Sequence, residues 1–272
     1  MSQDIFLDAL GDGIFEIRLE RPERMNALGA QTVVALKQAV DDAAARRARV
    51  VLIRGSGRAF CAGADLKERK SMDLAARMAH NAGINEAVNA IGNARFVTIA
   101  VLNGLALGGG LEMALACDLR MAAAGVKIGL TESRVGAFPG AGGTQRLPRL
   151  IGTSRALHMM LTGEPVSSEY ALEIGLVNEV VQPDELQARA LEFARLLAGR
   201  SAPAMAELKR LVYRGVELPL ADGLALERAA LPGILGSADY AEGLAAFEER
   251  RPPRFTGTVE LADNNAPSNA NI

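Results

Sequence analysis

Two acidic residues stand beside glycine-rich turns, where a carboxyl group could move protons. Glu112 follows Gly104-Leu105-Ala106-Leu107-Gly108-Gly109-Gly110-Leu111, and Glu132 precedes the turn Pro139-Gly140-Ala141-Gly142-Gly143. The first turn lacks the Gly-Lys-Ser/Thr ending of a phosphate loop and is not a dinucleotide fingerprint, which argues against a nucleoside triphosphate site. A glycine within a helix costs roughly 1 kcal/mol relative to alanine, so three at a helix start ask for a reason. Free N–H groups at a helix N-terminus, aimed at a developing oxyanion, would be one. Glu112 is flanked by Leu111, Met113, Ala114 and Leu115. A carboxylate in such a run either faces water or is held where its pKa rises, as a general acid or base requires. Taken alone, both Glu112 and Glu132 favour the surface or capping reading. A third cluster, Ala59-Phe60-Cys61-Ala62-Gly63-Ala64-Asp65-Leu66-Lys67, is built of small residues that let backbone approach a ligand, and it reads equally well as a tight strand-to-helix turn.

Other chemistries find little support. His80 and His158 are the only histidines, and neither has a partner at metal-ligand spacing, so no metal is expected. Cys61 and Cys117 read as small buried hydrophobes in a reducing compartment. The start, Met-Ser-Gln-Asp-Ile-Phe, resembles neither a secretory leader nor a transit peptide, and no run of about 18 apolar residues suggests a membrane span. A cytoplasmic location is the expectation. With 30 basic against 32 acidic side chains, the net charge of -2 offers nothing to attract nucleic acid or an acidic membrane.

The elements that must position the three clusters alternate between strand and helix. Ile14–Leu19 alternates apolar and polar residues as a half-exposed strand does. Val50-Val51-Leu52-Ile53 and Val97–Leu102 are continuous apolar runs typical of buried strands. Asp118–Met121, Lys127–Leu130 and Val177–Val181 are shorter strand candidates. Helices are expected from Gln31 to about Arg47, across the Ala-, Met- and Asn-rich stretch 72–95, and after Gly108. From Thr153 onward the pattern is helical, with Ser167, Ser201 and Ser237 as candidate caps. This order predicts an α/β fold with a helical C-terminal third. The Asn/Ala-rich end, 256–272, is expected to be disordered.

Together and in this order, the strings Ala-Gly-Ala-Asp, Gly-Gly-Gly-Leu-Glu and Pro-Gly-Ala-Gly-Gly-Thr-Gln-Arg-Leu resemble the enoyl-CoA hydratase/isomerase (crotonase) family, from about Ile14 to Phe255. The resemblance implies a crotonase-like spiral of repeated β-β-α units over residues 1–200 and a helical C-terminal trimerisation region over 201–255, giving a homotrimer or homohexamer. It implies that the N–H groups of Ala64 and Gly109 form an oxyanion hole for a thioester carbonyl, with Glu112 and Glu132 as the acid–base pair. Ala62, Asp65, Leu66 and Lys67 would lie along the coenzyme A moiety. Arg24 would sit in the loop at its nucleotide end, and Phe247 and Arg250 would reach a neighbouring subunit's coenzyme A. Pro252-Pro253 departs from the family there. The implied reaction is hydration of a 2-enoyl-CoA thioester, with no cofactor beyond the coenzyme A of the substrate. A double-bond isomerase is the nearest alternative. The strings Leu66-Lys67-Glu68-Arg69-Lys70 and Gly104–Gly110 also resemble the methylglutaconyl-CoA hydratase branch, which includes an RNA-binding member. An RNA-binding role would need a basic face, and the short Lys67–Lys70 run reads as a solvated helix face.

Overall fold

The computed structural model describes residues 4–259. The chain opens with a hairpin, β1 (Ile5–Gly11) against β2 (Ile14–Leu19), closed by Asp12-Gly13. Both turn residues have positive φ, 54° and 74°, as a tight turn matching the right-handed strand twist demands. β1 is absent from the expectations above, although its Asp-Gly turn is a hairpin signal. After α1 (Ala30–Ala45) the chain repeats one pattern: a strand in a large sheet, a short strand in a small sheet, then helix. The first repeat is β3 (Val50–Gly55), β4 (Ala59–Cys61), α2 (Leu66–Lys70) and α3 (Leu74–Asn93). The second is β5 (Val97–Leu102), β6 (Leu105–Leu107) and α4 (Gly109–Ala116). The third is β7 (Leu119–Ala123), β8 (Lys127–Gly129), α5 (Gly143–Ile151) and α6 (Thr153–Thr162). The fourth reverses the order, with β9 (Val166–Ser167) in the small sheet, α7 (Ser168–Glu173), and β10 (Glu179–Val181) in the large one. The large sheet runs β1-β2-β3-β5-β7-β10 and the small one β4-β6-β8-β9.

The continuous apolar runs are explained by burial on both faces of the large sheet. Val51 and Ile53 point to the core beneath α1 and α3. Val50 and Leu52 point to the opposite face, where they meet Leu186, Ala190 and Ala194, spaced four apart on α8 (Leu186–Ala198). Three further helices follow, α9 (Ala202–Gly215), α10 (Leu220–Leu235) and α11 (Ala238–Glu248). The hydroxyls of Ser167, Ser201 and Ser237 cap α7, α9 and α11 as expected. The start of the 256–272 stretch departs from the expected disorder. Thr256 N–H and Gly257 N–H both donate to Asp239 Oδ1 at 3.0 Å. Residues 260–272 lie outside the described residues. No described helix is long and apolar enough to cross a membrane.

One buried cation fastens the far end of α4. Arg120 on β7 donates to the carbonyls of Ala114 (3.2 Å), Cys117 (2.8 Å) and Leu176 (2.8 Å). Buried carbonyls at a helix C-terminus need such partners.

Candidate active site

β4, β6 and β8 lie side by side and parallel in the small sheet. Their carboxyl ends therefore deliver three loops to one place, and these loops are the three clusters singled out in the sequence. Ala62, Ala64, Leu66, Gly109, Glu112 and Glu132 all line one cavity of about 120 Å³.

The first two loops supply N–H groups. Leu28 forms an isolated parallel bridge with Ala64. Its N–H donates to Gly63 O (2.8 Å) and its carbonyl accepts from Asp65 N–H (3.1 Å). This pattern turns the Ala64 N–H away from Leu28. Gly109 opens α4, so its N–H is one of the four that a helix leaves without an internal acceptor. The loops approach so closely that a Cβ on Gly63 would lie 3.0 Å from Gly109 N. One on Gly110 would lie 2.2 Å from Cys61 O, so only glycine fits there.

Glu112 is only 3% exposed, which corrects the surface reading that its position alone favours. It sits in the interior of α4, whose every residue is buried. Its Oε1 accepts from Ala141 N–H at 2.6 Å and Gly143 N–H at 2.8 Å. Burial pushes its pKa up, and these two N–H groups, with Arg146 and Arg69, oppose the rise. Glu132 opens a 3-10 turn, Glu132–Val135. Its Oε2 is buried and has no hydrogen-bond partner among the described residues. Burial first, with the Glu112 charge also contributing, pushes its pKa up to about 7. Gly108 makes room for it: φ is +50°, and a Cβ there would lie 2.9 Å from Glu132 Oε1.

Other expected residues lie elsewhere. The side chain of Asp65, expected in the segment beside coenzyme A, is buried, caps α2 and forms a two-pronged pair with Arg24 Nη2 at 2.8 and 2.9 Å. Arg24, Asp65, Lys67, Phe247 and Arg250 do not line the cavity of the two glutamates. Phe247 is 84% exposed at the end of α11.

The structure adds Arg69 to the site. It lines the cavity with Leu66, one helical turn away on α2, so the Lys67–Lys70 run is not solvated throughout. Its Nε donates to His80 Nδ1 (3.1 Å) and its Nη2 to Asn81 Oδ1 (3.4 Å). Both acceptors are neutral. His80 is thereby a buried structural histidine, its Nε2 also 3.0 Å from Leu28 O. The i, i+3 spacing of Leu66 and Arg69 was the available signal for Arg69.

A profile of the enoyl-CoA hydratase/isomerase family matches residues 10–258. The chain is 39% identical to human mitochondrial methylglutaconyl-CoA hydratase over 251 residues, covering 90% of this chain and 74% of that one. It is 42% identical to human mitochondrial enoyl-CoA hydratase domain-containing protein 2, covering 90% and 86%. Among solved structures, enoyl-CoA hydratase from Bacillus anthracis superposes with a TM-score of 0.90 at 38% identity, covering 94% of this chain and all of that one. The alternation of large-sheet strand, small-sheet strand and helix is therefore the crotonase spiral, and the chain belongs to the enoyl-CoA hydratase/isomerase family.

Proposed function

We propose that this chain is an enoyl-CoA hydratase, adding water across the 2,3 double bond of a 2-enoyl-CoA thioester in acyl-CoA catabolism. The observation that carries the reading is the pairing, in one cavity, of a carboxyl group held by two N–H donors with one whose buried Oε2 has no partner among the described residues. The first is suited to be the ionised base, the second to be the acid. Glu112 takes a proton from water as its oxygen attacks C3. Negative charge moves through C2 to the thioester oxygen, where the Ala64 and Gly109 N–H groups receive it, each worth about 3–4 kcal/mol. Glu132 then delivers its proton to C2. Water has been added, and proton exchange restores both carboxyls. No metal or redox cofactor enters this scheme, since coenzyme A arrives with the substrate.

In the same reading Ala62, Leu66 and Lys67 flank the pantetheine, with Asp65 holding Arg24 at the nucleotide end. Phe247 and Arg250 would meet coenzyme A bound to a neighbouring subunit of a homotrimer or homohexamer. The exposure of Phe247, Val216 and Leu220 on the C-terminal helices supports a partner there. Both cysteines are free and buried, which fits a reducing compartment. We carry cytoplasm as that compartment, and cell fractionation tests it against the mitochondrial location of several relatives. Loss of the enoyl absorbance of crotonyl-CoA, followed with wild-type and Glu112→Gln protein, tests the activity. Faster migration of a 3-enoyl double bond than hydration would favour an isomerase.

Arg69 supports a second reading, a methylglutaconyl-type hydratase. A half-buried guanidinium on the acyl cavity, bonded among the described residues to the neutral acceptors of His80 and Asn81, suits an acyl chain ending in a carboxylate. Hydration rates for glutaconyl-type against uncharged enoyl esters, repeated with Arg69→Met, separate the two.

A further inference from the structure

α3 carries Asn81, Asn85 and Asn89 four residues apart, so their side chains stack along one face. Asparagine is a poor helix former because its amide competes for backbone groups, and three in register ask for a purpose. Asn81 and Asn85 grip the glycine-rich segment that leads into α5, and Asn89 holds Arg146 of that helix. Asn81 Nδ2 and Asn85 Nδ2 both donate to Gly140 O, at 3.1 and 2.6 Å. Asn89 Oδ1 accepts from Arg146 Nη2 at 2.8 Å, and Arg146 Nη1 reaches Ala141 O at 3.1 Å. The Gly140 carbonyl and the Ala141 N–H are the two ends of one peptide group. That N–H makes the 2.6 Å bond to Glu112 Oε1.

We propose that Asn85, with Asn81 beside it, is a positioning residue for Glu112, fixing and polarising the 140–141 peptide so that its N–H holds the Glu112 carboxylate. Donors on a peptide carbonyl strengthen donation from the N–H at its other end. This rests on the reading of Glu112 as the base. The charged groups facing Glu112 are Glu132 from the 3-10 turn, Arg69 from α2 and Arg146 from α5. The ladder reaches two of these cations: Asn89 orients Arg146, and Asn81 Oδ1 accepts from Arg69. Asn85 touches neither. Its remaining bond is to Asn81 O within the helix, at 3.0 Å, which makes it the cleanest probe.

The test is a carboxyl-carbon NMR titration of the protein labelled at glutamate, with the Glu112 signal assigned by its loss in Glu112→Gln. Asn85→Ala should raise the Glu112 midpoint by about one pH unit, the size expected for loosening one charge-assisted hydrogen bond. The acid limb of kcat/KM for crotonyl-CoA should move with it, while KM changes less than about twofold, because no substrate contact is lost. Asn85→Leu, similar in size and a better helix former, should shift the midpoint equally and serves if the alanine variant folds poorly. A Glu112 midpoint that stays in place in either folded variant overturns the proposal, whatever happens to turnover. The titration requires no turnover. A shifted midpoint in a protein that hydrates nothing would leave the asparagine grip standing and remove the hydratase reading.

Discussion

Glu112 and Glu132 line the same cavity, and both are drawn out of water, yet their seats are opposite in kind. Glu112 projects from a regular helix onto two N–H groups that meet one of its oxygens. Glu132 projects from a 3-10 turn and keeps one oxygen buried with no hydrogen-bond partner among the described residues. Burial pushes both pKa values up, and for Glu132, where the Glu112 charge adds to it, up to about 7. The contrast teaches that two buried carboxyls in one cavity are set apart by how each is held and by the charge each sees: two N–H donors fix one oxygen of Glu112, and the Glu112 charge adds to the burial of Glu132.

The largest effect should come from removing either member. Glu112→Gln and Glu132→Gln should each lower turnover of crotonyl-CoA by about 10²–10⁴-fold, with binding of a saturated acyl-CoA measured by calorimetry nearly unchanged. Full activity in Glu132→Gln would reduce the pair to a single working carboxyl. Next, the seats can be disturbed while the carboxyls stay. A Cβ on Gly143 would lie 3.0 Å from Glu112 Oε1, and one on Gly108 2.9 Å from Glu132 Oε1. Gly143→Ala and Gly108→Ala should each lower kcat by about 10–100-fold through misplacement of a reacting group. If the seats are independent, Gly143→Ala moves the acid limb of the pH profile and Gly108→Ala the alkaline limb. Both variants moving the same limb would break the comparison.

A smaller effect is the wild-type profile itself. In the proposed scheme hydration needs Glu132 protonated, so kcat/KM should fall as pH rises through about 7, and Glu132→Gln should lack that limb. The measured midpoints belong to the coupled pair. The smallest effect is on stability. A folded-state pKa raised from 4.5 to about 7 means that stability is intact below pH 4.5 and declines as pH rises through about 7. Allowing for the partial exposure of Glu132, the loss should be about 1–2 kcal/mol. Denaturant melts should therefore show Glu132→Gln more stable than wild type by about that amount at pH 8 and equal to it at pH 4.

Much of this architecture could be read from local pattern. Val50–Ile53 and Val97–Leu102 announce themselves because both of their faces are buried, and Ser167, Ser201 and Ser237 because a cap is a local device. β4, β6, β8 and β9 are two or three residues long, too short for a period of two to emerge, so of the small sheet that gathers the three loops only β8, within Lys127–Leu130, could be read from the sequence. Glu112 looked like a surface residue because its burial depends on Ala141 and Gly143, about thirty positions away. Arg69 was hidden in a charge run whose members face different directions. The family resemblance supplied what local pattern could not, since three separated strings together carry information that no single window holds.

Arg120 also bears on the cavity, although it lies at the opposite end of α4. A helix is an electric dipole, and a short one nearly cancels itself at a distance because its two poles are close. In α4 the guanidinium of Arg120 sits on the negative pole, bonded to Ala114 and Cys117 carbonyls. The positive pole at Gly109 opens on the cavity, where Glu112 in the first turn and Glu132 beside Gly108 already draw on it. In the proposed reaction the eight residues of α4 would therefore offer a nascent enolate their positive end with the opposing pole already neutralised, and the same end would favour an ionised Glu112.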